Sequence, residues 1–509
     1  MNKLISSPLL KLGALVIAMS AAQTAVNAQA VEPLFDKTHM TFNTYGDVGY
    51  DQRLRPQFHF SSRKNWINDP NGMVYYAGEW HLYLQHCALS VNRGPKSWGH
   101  AVSTDMVHWE QLPHAIVPYD LGAIWSGTAV VDHNNSLGKQ VGDTKTLVAF
   151  FTTTKKDGFI QVMAYSTDKG RTYTLHNNGR AVVPNQGFSP GERDPKVFWD
   201  EARQKWKLVL ILGGKDRVIR IFESGNLTDW VKAGDITRKW AAECIDLFQL
   251  PVDGDKKKMK WVITDASFDY EVGQFTGNGF ETEGETLRGD WGKNFYAAQT
   301  FNNGPDGRVV QIGWMNDRRP ECPFLVEGMP FNQQMAFPTD LTLRTTPEGV
   351  RLYRWPVPEI KRLYQKSRAF ENITAEAATQ ALAEVKPELI DLSIEFAPGA
   401  DAKLDLTVRG IKISYGDLMK VRTALGMKEV KCFTFNGKTC PAPVIDGKVK
   451  LGVLADRASL ELYANEGATV TSSYEFGTPE NLNQKIESQG DVKIHSLVVN
   501  ELKSSWAGK

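Results

Sequence analysis

From residue 57 to residue 355 the chain repeats one hydrophobic plan: a polar corner, an apolar run of strand length, a turn rich in Gly, Asp or Asn, and a second apolar run. The first copy leaves Asp69-Pro70-Asn71-Gly72 into the run 73–76, turns over 77–80 and returns through 81–85. A second opens at Trp125-Ser126-Gly127 and returns through 147–151, and a third opens at Arg193-Asp194-Pro195 and returns through 206–212. The fourth opens at Glu243-Cys244, with runs at 247–250 and 260–263, and the fifth at Tyr296, with runs at 297–301 and 309–314. Four copies also share an outer edge that ends in an aromatic residue, at Trp109, Tyr173, Trp230 and Phe280. The openings lie roughly 50 to 70 residues apart, slightly above the period of common propeller-blade repeats, which longer loops explain. No helical periodicity competes with this pattern. It predicts an all-β chain whose residues 31–355 form a five-bladed β-propeller, each blade having four antiparallel strands.

The plan stops after Trp355. Pro356-Val357-Pro358 breaks it, and residues 356–388 read as a linker with helical character over 359–364 and 375–385. From 389 to 509 strand alternation returns, as in Leu392, Ile394 and Phe396 or Leu404, Leu406 and Val408, with Gly- and Asp-rich turns between runs. That is the pattern of a C-terminal β-sandwich. Residues 1–30 stand apart from both domains. Lys3 and Lys11 precede a mostly apolar stretch, and Ala28-Gln29-Ala30 is a small-x-small cleavage pattern, so this segment reads as a signal peptide cut near Ala30 and the protein as secreted or periplasmic.

Charge and cysteines narrow the chemistry by exclusion. A formal net charge of +1, without a basic tract, argues against nucleic acid or an anionic membrane as partner. Five scattered cysteines do not make a disulfide scaffold, although Cys432 and Cys440, flanking a plausible hairpin turn, could pair in an oxidising compartment. There is no Cys-x-x-Cys, no His-Glu-x-x-His, no Gly-x-Ser-x-Gly and no phosphate-cradling glycine loop, so neither a metal nor an organic cofactor is expected. His59, His81, His86 and His100 read as hydrogen-bonded strand residues rather than ligands. Carboxylate chemistry is left.

In a propeller the innermost strands all begin at one end of the central channel, so the residues opening each copy converge there. Asp69, Asp194 and Glu243 would thus share a pocket, and like charges held close push at least one carboxyl pKa upward. Hydrolysis of a glycosidic bond needs such a set: one acid for the leaving oxygen and one carboxylate to attack or to activate water. The neighbours Ala241, Ala242 and Cys244 imply a partly buried Glu243, hence a raised pKa. Asn68, Gln85, Arg193, Trp98 and Trp125 supply the hydroxyl-reading groups and aromatic faces a sugar requires.

These residues resemble glycoside hydrolase family 32, the invertases, inulinases and levanases. The likeness rests on Trp66 to Gly72, Trp98-Gly99-His100-Ala101, Trp125-Ser126-Gly127, Arg193-Asp194-Pro195, Glu243-Cys244 and Trp314-Met315-Asn316-Asp317, in that order. The resemblance implies hydrolysis of β-fructofuranosides with retained configuration, on an oligo- or polysaccharide such as a fructan, or on sucrose. It implies Asp69 as the nucleophile, Glu243 as acid and base, and Asp194, kept ionised by Arg193, as the binder of fructose hydroxyls. Asn68, Gln85, Trp98, Trp125 and Ser126 would line the fructose subsite. His86-Cys87-Ala88 and Ile245 depart from the family pattern, as does Ala241-Ala242, all beside the leaving-group side. A fructosyltransferase using the same carboxylates, a propeller enzyme for another furanoside, and a non-catalytic fructan-binding protein stand as alternatives.

Overall fold

A computed structural model describes residues 45–506, apart from short stretches at 120–121, 156–157, 189–190, 424–425 and 478–479. The expected signal peptide and its cleavage point near Ala30 lie outside the described residues.

Five four-stranded antiparallel arrays form the propeller. Blade I comprises Asn65–Tyr76, Glu79–Cys87, Ser97–Ser103 and Glu110–Ile116, and blade II comprises Ile124–Asp132, Thr146–Lys155, Gly158–Ser166 and Thr174–Leu175. Blade III runs through Arg193–Asp200, Lys205–Gly213, Val218–Ser224 and Val231–Thr237, and blade IV through Asp246–Val252, Asp255–Thr264, Asp269–Phe275 and Phe280–Thr282. Blade V pairs Phe295–Thr300 with Val310–Met315 but adds its outer strands, Thr339–Thr346 and Gly349–Pro356, only after the excursion 316–338. Part of that excursion, Phe331–Asn332, lies parallel to the inner strand of blade I at Asn65 and Trp66 and so ties the last blade to the first.

The composition of each strand follows its place in the blade. A second strand such as Lys205–Gly213 is covered on both faces by neighbouring blades, so Leu208 to Leu212 form one unbroken apolar run. The outermost strand Val231–Thr237 is largely exposed and correspondingly polar. Inside the channel, Lys196 of blade III and Asp246 of blade IV form a fully buried ion pair at 2.8 Å. Asp246 also accepts the backbone N–H of Thr300 in blade V at 2.6 Å. Below them the Asn302 amide donates to Ala129 O at 2.8 Å and to Thr128 Oγ1 at 3.1 Å, closing the channel.

Residues after 356 form a six-stranded and a five-stranded sheet packed face to face around one apolar core. The expected helical character appears as a 3-10 turn at Pro358–Leu363 and a helix at Ala375–Ala383. The segment between them differs from the linker reading: Tyr364–Ile373 is an edge strand of the sandwich, paired along Val492–Leu502. Most of its side chains face solvent, with Phe370 and Ile373 packing on the core, so its sequence shows little alternation.

Cys432 and Cys440, the two cysteines that could pair, are both free. Cys440 stands opposite Phe433 and Cys432 opposite Pro441, so the two thiols are one residue out of register and point to opposite faces of the hairpin.

The domain interface is charged and buried. His59, from the lead into blade I, places Nδ1 2.9 Å from Asp456 and Nε2 2.9 Å from Glu461, both on the sandwich. Arg354 of blade V meets the buried Asp290, whose carboxylate also accepts from Ser472.

Candidate active site

Four of the five inner strands share one irregularity where the repeats open. In blade I the register passes from Ile67↔His86 to Pro70↔Leu84, so Asn68 and Asp69 sit in a bulge. Equivalent one-residue slips fall at Trp125-Ser126 in blade II, Asp194-Pro195 in blade III and Ala297-Ala298 in blade V. A bulge twists the strand and re-aims a side chain that regular pleating would send into a neighbouring blade. Here it turns polar side chains into the channel mouth. Pro70 and Pro195 are tolerated because the ladder is interrupted there and no N–H is needed. Asp194 and Cys244 adopt left-handed backbone, with φ of 59° and 50°.

The three carboxylates come together around Cys244 and Arg193. The Cys244 thiol lies 3.8 Å from Asp69 Oδ2 and 3.5 Å from Asp194 Oδ2, and its backbone N–H donates to the same Asp194 oxygen at 3.1 Å. Burial, reinforced by Asp194 and Asp69, pushes this thiol far up, so it stays protonated as a neutral donor. Asp69 is held by two neighbours: Asn68 Nδ2 donates to Oδ1 at 3.0 Å and Ser126 Oγ to Oδ2 at 2.7 Å. Asn68 is oriented in turn by the indole N–H of Trp66, which donates to its carbonyl oxygen at 3.2 Å.

Glu243 differs from the sequence reading. Burial does act to raise its pKa, but the Tyr296 hydroxyl, donating to Oε1 at 2.6 Å, and Arg193, donating from Nε and Nη2 to Oε2 at 3.0 and 2.8 Å, outweigh it and hold Glu243 below the usual range. Arg193 therefore spends its fork on Glu243 and stands 3.6 Å from Asp194. Asp194, fully buried, is raised to about 7 by burial and by the charges of Glu243 and Asp69, with Arg193 opposing. Arg193 does favour the ionised form of Asp194, as the resemblance implies, but burial and the neighbouring carboxylates act against it. Crowding of like charges thus acts upward on one carboxyl of the set, Asp194.

The aromatic wall is built on the same mouth. Trp98 is buried, donates from Nε1 to Trp125 O at 2.9 Å, and packs on Gly72 so closely that a Cβ there would lie 2.6 Å from its ring. Gln85 stands across the strand pair from Trp98, and among the described residues neither polar atom of its buried amide has a hydrogen-bond partner. Three residues of the site were not singled out in the sequence. Tyr296 opens the fifth copy, and that position was its signal. Lys96 lies two residues before Trp98 and rests its ammonium 4.8 Å from the Trp125 ring centre; burial lowers its pKa, against the pull of Asp69, Asp194 and Glu243. Arg318, exposed at the rim, lies over Tyr296 and Trp314 at 5.3 and 5.0 Å, and no local pattern marks it.

A channel mouth with three carboxylates, an unpartnered amide and aromatic walls is the equipment of a glycosidase. Comparison with known proteins places the chain within that class. The glycosyl hydrolases family 32 N-terminal domain matches residues 59–356 and the family 32 C-terminal domain residues 359–501, so the chain belongs to this family and is a glycosidase of the β-fructofuranosidase kind. Among its relatives, a levanase of Bacillus subtilis is 37% identical, the match covering 90% of this chain and 72% of the relative. An extracellular exo-inulinase of Aspergillus niger is 30% identical, over 90% of this chain and 96% of its own length. Among solved structures, the exo-inulinase of Aspergillus awamori superposes with a TM-score of 0.76 at 26% identity, covering 90% of this chain and all of that one. A fructofuranosidase of Schwanniomyces occidentalis, solved with fructose, gives 0.72 at 26%, with 90% of this chain and all of that one covered. Among the described residues no helix is long and apolar enough to cross a membrane.

Proposed function

We propose that the protein is a secreted, retaining fructan hydrolase that cleaves terminal or internal β-fructofuranosyl linkages in levan or inulin, with sucrose as a further substrate, through a covalent fructosyl-enzyme on Asp69. The observation that carries this reading is the seating of Asp69: two donors, Asn68 and Ser126, occupy one face of each oxygen and fix the carboxylate at the channel mouth. A rigidly placed carboxylate beside a second, proton-bearing one is what nucleophilic glycoside cleavage requires.

In this mechanism Asp69 attacks the anomeric carbon of the fructosyl unit while Glu243 protonates the departing oxygen; Glu243 then takes a proton from water, which attacks the anomeric carbon and frees Asp69. Glu243 must take up a proton before it acts, and Asp194, raised to about 7 by burial and like charge, is a source for one within the pocket. Sugar hydroxyls donating to Asp194 favour its ionised form, and a substrate covering the pocket deepens the burial of Glu243, so both changes move the proton toward the acid. Cys244, a neutral donor between Asp69 and Asp194, stays in place throughout. Trp125 offers its ring to the fructosyl unit, with the buried Trp98 and Gln85 backing that wall, while Lys96 and Arg318 border the space left to the departing sugar.

Sugar release from sucrose, inulin and levan by the purified protein tests this reading. Asp69→Ala and Glu243→Ala each lose several orders of magnitude in turnover on every substrate that is cleaved. Near-native rates in both variants contradict the mechanism. Free fructose and glucose in equal amounts from concentrated sucrose favour hydrolysis, and a shortfall of fructose the fructosyltransferase.

A further inference from the structure

The far end of the propeller axis carries a second cavity. It has a volume of about 390 Å³ and lies where the inner strands of blades II and III end, beside the loop that follows the inner strand of blade V. Asn302, with its amide engaged by blades II and III, forms part of its floor and separates it from the carboxylate pocket at the other end of the channel. A molecule bound there cannot reach Asp69, Asp194 or Glu243.

Its walls have the composition that recognises sugars. Trp199 is half-buried, set edge-to-face on the buried Trp206 with ring centres 5.2 Å apart, and it donates its indole N–H to Glu201 at 2.7 Å. Glu201 accepts in addition from Gln204 at 3.0 Å, so carboxylate, amide and indole form one braced group at the rim. Opposite, His133 meets Asn303 Oδ1 at 3.0 Å, and the Asn303 amide donates to Tyr75 O at 2.8 Å. Asn134 completes the polar edge. A braced aromatic plane beside planar amides and a carboxylate suits stacking on the C–H face of a sugar ring and paired hydrogen bonds to neighbouring hydroxyls. Among the described residues that line the cavity Glu201 is the one carboxylate, so the group lacks the pair that glycoside cleavage uses.

Resting on the fructan-hydrolase reading, we propose that this cavity is a non-catalytic saccharide site that holds a stretch of polymeric fructan remote from the linkage being cleaved. Its contribution is avidity: a polymer engaged at both ends of the propeller dissociates less readily than one held at the active site alone, whereas sucrose, too short to reach both, gains nothing.

The test compares the unaltered enzyme with Trp199→Ala and with Asn303→Ala, a lesion on the other wall that leaves the aromatic packing intact. Affinity electrophoresis through levan and inulin gels, done with Glu243→Gln as the common background, reads polymer binding, and steady-state kinetics in the active background reads turnover. The expected result is a polymer affinity weakened roughly five- to tenfold in both variants, with KM for levan or inulin raised and kcat/KM for sucrose within about twofold of the unaltered enzyme. Undiminished retardation of both variants, with sucrose turnover intact, overturns the second site and leaves the catalytic reading standing. Failure of the unaltered enzyme to cleave any fructan overturns both.

Discussion

At the scale of single residues, Glu243 is the position where physical reasoning from sequence and the folded geometry part company. Its neighbours Ala241, Ala242 and Cys244 signal burial, and burial alone raises a carboxyl pKa. The opposing groups come from elsewhere in the chain: Arg193, fifty residues earlier, and Tyr296, fifty-three later. Sequence shows that such residues open their own repeats but not that both hydrogen bonds end on the same carboxylate. Tyr296→Phe removes the hydroxyl donor, so the Glu243 pKa rises and the protonated acid persists to higher pH. The alkaline limb of kcat/KM accordingly moves upward by about one pH unit, with the fold unchanged. A pH–rate profile of the variant superimposing on that of the unaltered enzyme contradicts this role for Tyr296. Asp69 stood out as a candidate nucleophile because it stands in a run, Trp66 to Gly72, whose polar density is out of place in a propeller core strand; the bonds it receives from Asn68 and Ser126 did not, since both residues read equally well as contacts to sugar.

At the scale of elements, the repeat was readable because blades stack face to face, which makes middle strands continuously apolar and openings polar. The bulge in four inner strands was harder to see. One inserted residue reverses the facing of a strand without altering its composition, and only Pro70 and Pro195 betrayed it. Gly72 tests how far the bulge positions the aromatic wall. It has a φ of 57°, and a Cβ added there meets the Trp98 ring at 2.6 Å and Tyr83 at 3.0 Å. Gly72→Ala should cost about 2 kcal/mol of stability from backbone strain and overpacking, and at least tenfold in kcat/KM because Trp98 must move. Gly78, with φ of 89° and nothing within 4 Å of an added Cβ, supplies the control: Gly78→Ala pays the backbone penalty of about 1 kcal/mol and keeps its turnover. Thermal unfolding and initial rates on both variants decide it, and equal loss of activity in the two contradicts a positioning role for the bulge. The edge strand Tyr364–Ile373 escaped notice for the opposite reason, since an element that faces mostly solvent has little periodicity to show.

At the scale of the whole molecule, propeller and sandwich are joined by buried charges that no local pattern reveals. His59 reads as a strand histidine, yet it bridges Asp456 and Glu461, residues some four hundred positions away. Burial lowers its pKa, but the two carboxylates more than compensate and raise it to about 9, while both carboxyls are held below their usual range by the same histidine. The signs then follow. The histidine contribution is complete below its unfolded pKa of about 6.5 and is lost as pH rises through 9; the carboxylate contribution is present above the unfolded pKa values near 4 and is lost as pH falls below them. Tm should therefore decline from pH 7 to 9 in the unaltered protein. His59→Gln leaves two buried carboxylates without a cation, costs about 3 kcal/mol, and flattens that decline. An alkaline Tm profile as steep in the variant as in the original contradicts the assignment.

The central proposal is that Asp69 bonds to the sugar, and trapping that bond is the most direct measurement. Glu243→Gln, incubated with a β-fructoside whose leaving group departs without acid assistance and quenched in acid, should gain the mass of one fructosyl residue on the peptide that contains Asp69. The adduct should be absent when Asp69→Ala is added to the same background. Label on Asp194, or rapid turnover by the Asp69→Ala, Glu243→Gln protein with no adduct, contradicts the account.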